Sequence, residues 1–150
     1  MSKFEVFQFV HVTAAIVWVG GGILSMFFVE RAKRADPAHK LGIARDLEFV
    51  AQRVFSPAAM VALLFGILMV LDADAIDFEQ TWIIMGIGGI AISMVLGMGY
   101  LASQTKQLVA ELTAEDPAAE PRLTAISRVA LLDLVILLVV VGAMVTKPGL

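Results

Sequence analysis

Four long apolar stretches, separated by polar connections, organise this chain. They cover 7–29, 54–71, 82–102 and 126–145; the last is uninterrupted only from Val129 and carries one acid, Asp133. A helix needs roughly 20 apolar residues to cross a hydrocarbon core of about 30 Å, so each stretch predicts a membrane-spanning helix. The second and fourth reach that length by borrowing flanking residues. The polar connections also carry helical marks. Asp36 before Pro37 predicts an N-cap and a first helical position, and Ile43, Leu47, Val50 and Val54 form one apolar stripe that leads into the second span. Pro57 removes an N–H that would bond the carbonyl of Arg53, which predicts a bend there. Leu101, Leu108 and Leu112 extend the third span's helix past the lipid to about residue 112, and Asp116 before Pro117 repeats the helix-start signal ahead of the fourth span. The prediction is a single all-α domain, 1–150: a four-helix transmembrane bundle with helical cytoplasmic extensions.

Composition agrees with the pattern. Hydrophobic residues make up 59% of the 150 and charged residues 17%, and the mean hydropathy is +0.88, outside the range of ordinary soluble domains. There are no cysteines, so disulfides, thiolate metal sites and cysteine nucleophiles are excluded. The formal net charge of -3 and the lack of a basic run with interleaved aromatics argue against a nucleic-acid partner. The first stretch reads as a retained span: only Lys3 precedes it, it exceeds a signal-peptide core in length, and no small-residue cleavage pattern precedes Glu30.

Charge placement gives the stretches a direction. Arg31, Lys33, Arg34, Lys40, Arg45 and Arg53 lie between the first and second spans, and Lys106, Arg122 and Arg128 between the third and fourth. The opposite side holds only Lys3 and Lys147, with a purely acidic connection around 72–80. The positive-inside rule therefore predicts a multi-pass protein of the inner (plasma) membrane with both termini outside. Trp82 is placed as an anchor at the outer interface, and Glu30, Arg31, Lys33 and Arg34 as the solvated cytoplasmic end of the first span.

Helices in lipid associate through close packing, so small residues four apart mark contact faces. Gly89, Ser93 and Gly97 mark one face of the third span, and Ala58, Ala62 and Gly66 one face of the second; Gly20, Gly21 and Gly22 permit close approach to the first. The glycines of 86–89 lack the preceding strand and the lysine of a phosphate loop.

The polar residues within the spans carry the candidate chemistry. His11 sits about one turn inside the outer boundary of the first span, and Trp18 two turns further along the same helix face. His11 is open to two readings: a neutral histidine bonded to a carbonyl, serine or headgroup, or a ligand to a metal or haem. Met69, Met85 and Met144 fall at a comparable depth, and one histidine with thioethers suits Cu(I), while a histidine and methionine pair also suits haem iron. The same methionines also serve as gap-filling apolar side chains. Asp133 costs roughly 2.5 to 3.5 kcal/mol at the centre of a span and so should face the bundle interior. Arg53, from another helix, is its expected partner in a structural clamp, with a proton-linked or propionate-binding role as the alternative. His11 and Asp133 differ in depth by ~15 Å and are not expected to touch. His39 is placed on the surface. No hydrolytic constellation is present, so the chain is not expected to be an enzyme, and a small proton-linked permease around Asp133 is a further alternative.

HVTAAIVWVGGG in the first span, RVFSPAAMVALLFGILMV entering the second and the closing VTKPGL together resemble a bacterial family of uncharacterised four-span integral membrane proteins. The chain is more distantly similar to the membrane domain of copper-resistance D-type proteins and to bacterial membrane-bound, haem-containing protoporphyrinogen oxidases. The matching positions are His11, the patch from Trp18 to Gly22, the turn from Arg53 to Pro57, and Lys147 with Pro148. The resemblance implies that His11 is a haem b or copper ligand. This chain has no second intramembrane histidine, which argues against bis-histidine haem ligation within one protomer and against oxidase activity. The other reading is a non-catalytic subunit or scaffold that forms a homo-oligomer or docks on a membrane-protein partner.

Overall fold

The computed structural model describes residues 2–73 and 76–149; Asp74 and Ala75, in the acidic connection, lie outside the described residues. The chain folds as α1 (Lys3–Ala32), α2 (Pro37–Val50), α3 (Ser56–Asp72), α4 (Thr81–Met94), α5 (Ala102–Thr113) and α6 (Ala119–Thr146). α2 and α3 join through a π-helical turn, Ala51–Phe55, and α4 and α5 through another, Val95–Leu101. The result is four rods, Lys3–Ala32, Pro37–Asp72, Thr81–Thr113 and Ala119–Thr146, each long and apolar enough to cross a membrane. Large apolar side chains such as Phe9, Ile16, Phe27, Leu64, Leu138 and Val145 point outward, where lipid is their only suitable solvent.

Local chemistry sets the ends of the rods. Ser2 caps α1 in a reciprocal box with Glu5, whose side chain accepts from the Ser2 N–H at 2.7 Å. Asp36 caps α2 through the His39 N–H at 3.1 Å, with Pro37 in the first turn, as the sequence predicts; His39 is exposed. At Pro57 the helix runs on without a break and widens. The Ser56 N–H bonds back five residues to Ala51 O, and the Ser56 hydroxyl donates to the same carbonyl at 2.9 Å, so the turn absorbs the N–H that Pro57 lacks. The extra residue shifts the helical register, which leaves Val54 exposed while Ile43 stays buried. The start signal at Asp116 is likewise displaced: Asp116 Oδ1 accepts from the Ala118 N–H at 2.9 Å in a turn, and α6 begins at Ala119.

Small residues hold the lipid-facing part together. α1 packs chiefly on α3, where Ala59 and Ala62 are almost fully buried and the Phe55 ring lies directly over Gly21. Phe7 and Phe65 meet edge to face with centroids 5.8 Å apart. α4 packs chiefly on α6, with Val140 seated on Gly89 and Met144 on Gly86. Beyond the lipid, at the basic end, the core becomes that of a soluble protein. Val29, Ile43, Leu108, Leu123 and Ile126 bury one another there.

That end is also laced by charge: Glu30, Arg31 and Arg34 are exposed, as expected of a solvated helix end, and Lys33 in addition reaches across to α6. Lys33 Nζ bonds Glu30 Oε1 at 2.5 Å and Ser127 Oγ at 2.7 Å, and the Ser127 hydroxyl donates to Glu30 at 2.9 Å, tying α1 to α6. The buried Lys40 pairs with Glu120. Arg122 grips Glu111 with two bonds of 2.6 Å and also reaches Gln104. At the opposite end Trp82 is not an outward anchor. It is only 6% exposed and packs inward with Val70, Ile76, Ile83 and Met144; Lys147, in a left-handed conformation after α6 (φ 44°), places its ammonium 5.2 Å from the Trp82 ring centroid.

Alanine at the three neighbouring glycines of α4 should separate their roles. Gly89→Ala drives a methyl group into the stiff Val140 side chain and should cost about 1 to 3 kcal/mol. Gly86→Ala meets only the flexible end of Met144 and should be tolerated, and Gly88→Ala, with open space around it, should leave stability unchanged or raise it by up to about 1 kcal/mol. Thermal unfolding in mild detergent reads all three. Arg122→Leu removes both bonds to Glu111 on the neighbouring rod and should lower the unfolding temperature in the same measurement.

Candidate functional site

Two cavities follow one another inside the bundle. The first lies toward the end that carries the termini, among α1, α3, α4 and α6, and has a volume of about 60 Å³. His11 reaches it from α1, Met69 from α3, Trp82 from α4 and Met144 from α6. The histidine is held by the backbone: its Nδ1 lies 2.7 Å from Ala62 O. A carbonyl oxygen only accepts, so Nδ1 carries a proton and donates, and in the neutral ring Nε2 is then the nitrogen with the lone pair. Gly66 makes the contact possible. A Cβ there would come within 3.0 Å of the ring. The spacing of four between Ala62 and Gly66 thus serves the ring of His11 as well as helix packing.

The second cavity is larger, about 120 Å³, and is bounded by all four rods. Asp133 enters it from α6 and is only 9% exposed. Ser93 lies on the facing helix, and Gly97, one turn on, leaves 3.9 Å between its own missing Cβ and Asp133 Oδ2. Neither Ser93 Oγ nor Asp133 Oδ1 has a well-formed hydrogen bond to any described residue. Both π-helical turns border this space, contributing Ala51 and Phe55 on one side and Gly97, Met98 and Leu101 on the other. A π turn carries one residue more than an α turn, so it both widens the helix and re-aims its side chains.

The sequence-predicted residues therefore divide between two sites. His11, Met69 and Met144 share the first cavity, but Met85 does not; it is 41% exposed and points outward. Trp18 and Asp133 share the second, so the His11 and Trp18 side chains serve different spaces although they lie on one helix face. Arg53 is exposed on the π turn, its guanidinium 5.7 Å from the Phe49 ring centroid, and forms no clamp with Asp133. The added residue in that turn carries its side chain away from the bundle axis. Arg128 is also exposed. Among the described residues no three His, Asp or Glu side chains gather as a metal cage.

Trp82, Ser56 and Ser93 border these cavities without having been singled out for it. Ser93 had a signal, since its stripe with Gly89 and Gly97 faces the helix that carries Asp133. Trp82 had none, because its inward orientation depends on how α4 is rotated against α3 and α6. A carboxyl group without a partner in an apolar interior costs stability. Asp133→Asn should accordingly unfold at the same temperature as the wild type or higher, by the equivalent of about 1 to 3 kcal/mol; a lower unfolding temperature would show that the carboxyl group serves a structural role.

No curated protein and no solved structure matches the chain. A family model does, over residues 5–148, and its description is "Predicted integral membrane protein (DUF2269)". The match runs from the first turn of α1 to the hook that follows α6, so it takes in all four rods and both cavities, and the chain belongs to this family of integral membrane proteins.

Proposed function

We propose that this membrane protein binds a soft monovalent metal ion, Cu(I), in the cavity beside His11, without itself catalysing a reaction. The observation that carries the reading is the fixed tautomer of His11. With Nδ1–H held by Ala62 O, Nε2 is the free nitrogen, and such a backbone bond is the usual means of orienting a histidine ligand. Met69 and Met144 border the same space and supply polarisable thioethers, which favour Cu(I) over harder ions. An ion with one imidazole and two thioethers keeps its positive charge within a low-dielectric pocket, a condition that suits a monovalent ion better than a divalent one.

Haem does not fit this cavity within one protomer. A cavity of 150 Å³ holds a single benzene ring, whereas the space here is about 60 Å³ and a tetrapyrrole has four rings. Met85, which points outward, is left out of the proposed ligand set. By the charge asymmetry of the connections we place the termini, and with them the His11 cavity, toward the outside of the plasma membrane, so that the ion would arrive from that side.

A second reading, a subunit that docks on itself or on another membrane protein, is supported by glycines that no helix covers. Gly20, Gly88, Gly99 and Gly142 have no heavy atom within 4 Å of where a Cβ would stand, and uncovered small residues in lipid are a means of helix association. The two readings are compatible.

The test is Cu(I) titration of the purified protein in mild detergent under reducing conditions, with a chromophoric chelator as competitor. One ion per chain is expected. His11→Ala should abolish stoichiometric binding, Met144→Leu should weaken it about 10- to 100-fold, and Met85→Leu should leave it unchanged. A wild-type protein that takes up no copper, or a His11→Ala variant that binds as well as wild type, overturns the reading.

A further inference from the structure

The second cavity has a separate chemistry that copper binding does not use. Its one charged side chain, Asp133, is buried and enters from α6. None of the basic groups near it on the described chain is its partner: Arg53 lies over Phe49, Arg128 is exposed, Lys33 is engaged by Glu30 and Ser127, and Lys40 by Glu120. The acid therefore needs a counter-charge or a proton from elsewhere.

The form of the cavity limits what can supply it. At about 120 Å³ it is slightly smaller than a cavity known to take benzene, so the occupant has about five or six heavy atoms. Its walls are mainly apolar, with the rings of Trp18 and Phe55 among them, and too few oxygens are present to replace the hydration shell of a metal cation. Asp133 Oδ1 and Ser93 Oγ have no well-formed bond to any described residue, and a Ser93 hydroxyl turned toward the carboxylate still keeps its own lone pairs for accepting. Two carboxylate oxygens and one hydroxyl match in number the three N–H donors of a primary ammonium, and aromatic walls favour a cation with an apolar body. The two π turns that border the cavity provide the width, and such turns occur often at functional sites.

We propose that the cavity enclosed by Trp18, Phe55, Ser93 and Asp133 is a binding site for a small primary alkylammonium ion, held by an ion pair to Asp133 with its hydrocarbon part against the apolar wall. This site is independent of the one at His11.

The experiment is calorimetric titration of the full-length protein in lipid nanodiscs with n-butylammonium and, separately, with n-butanol, a neutral molecule of the same length. One saturable site is expected for the amine, with the alcohol at least about tenfold weaker, equivalent to about 1.4 kcal/mol. Asp133→Asn should remove the preference for the amine, Ser93→Ala should weaken amine binding by less than Asp133→Asn does, and His11→Ala should leave it unchanged. The wild-type comparison of amine with alcohol does not depend on any variant folding. Equal affinity for the two ligands, no saturable binding of the amine, or undiminished binding by a folded Asp133→Asn protein would each overturn the proposal, the second by showing that a proton alone neutralises the acid.

Discussion

In lipid, apolar burial no longer distinguishes one helix surface from another, because the solvent is as apolar as the side chains. Every backbone group must be bonded within its own helix, and the helices must find one another through steric fit and a few buried polar contacts. Each feature of this bundle's interior reflects that constraint. Phe55 rests on Gly21 and Val140 on Gly89. The His11 ring reaches the backbone of α3 only because residue 66 has no side chain. Where the rods leave the apolar zone, the interactions change to large aliphatic residues around Leu123 and to ion pairs such as Arg122 with Glu111. One chain thus uses two kinds of adhesion, changing from one to the other along each rod.

Close packing of straight rods would leave no room for a ligand. The π turns at Ala51–Phe55 and Val95–Leu101 interrupt that regularity on two rods, beside the same cavity. At the first of them the cause is chemical, since Pro57 cannot supply an N–H to Arg53 and the helix re-registers to a bond five residues back. The wider turn sends Arg53 outward, and so the acid on α6 is left without the arginine that its depth would have allowed. The physical consequence is a buried carboxyl group facing a cavity, an arrangement that costs stability when the group has no partner.

The two proposed sites, at His11 and at Asp133, differ in their chemistry. The first combines one nitrogen lone pair with two thioethers and excludes anything larger than an ion or a few waters. The second is roomier and acidic, with hydroxyl and aromatic groups on its walls. Both are enclosed by packing that involves α6, whose one face presents Asp133, Leu137, Val140 and Met144 in succession. That helix is therefore the wall that the two cavities share.

The amino-acid sequence by itself determined the number of rods, their extension beyond the lipid, the start of α2 at Asp36 and Pro37, and the small-residue faces, because each follows from composition or spacing within one helix. It also placed His11, Met69 and Met144 at a common depth, since depth is counted along a single rod. Which side chains meet across rods was decided only by the tertiary structure. Rotation of each helix about its axis set Met85 outward, turned Trp82 inward and separated Arg53 from Asp133, and a single extra residue in a π turn is enough to change it. Periodicity records the face of a helix, but the neighbour that covers that face is chosen by three-dimensional packing.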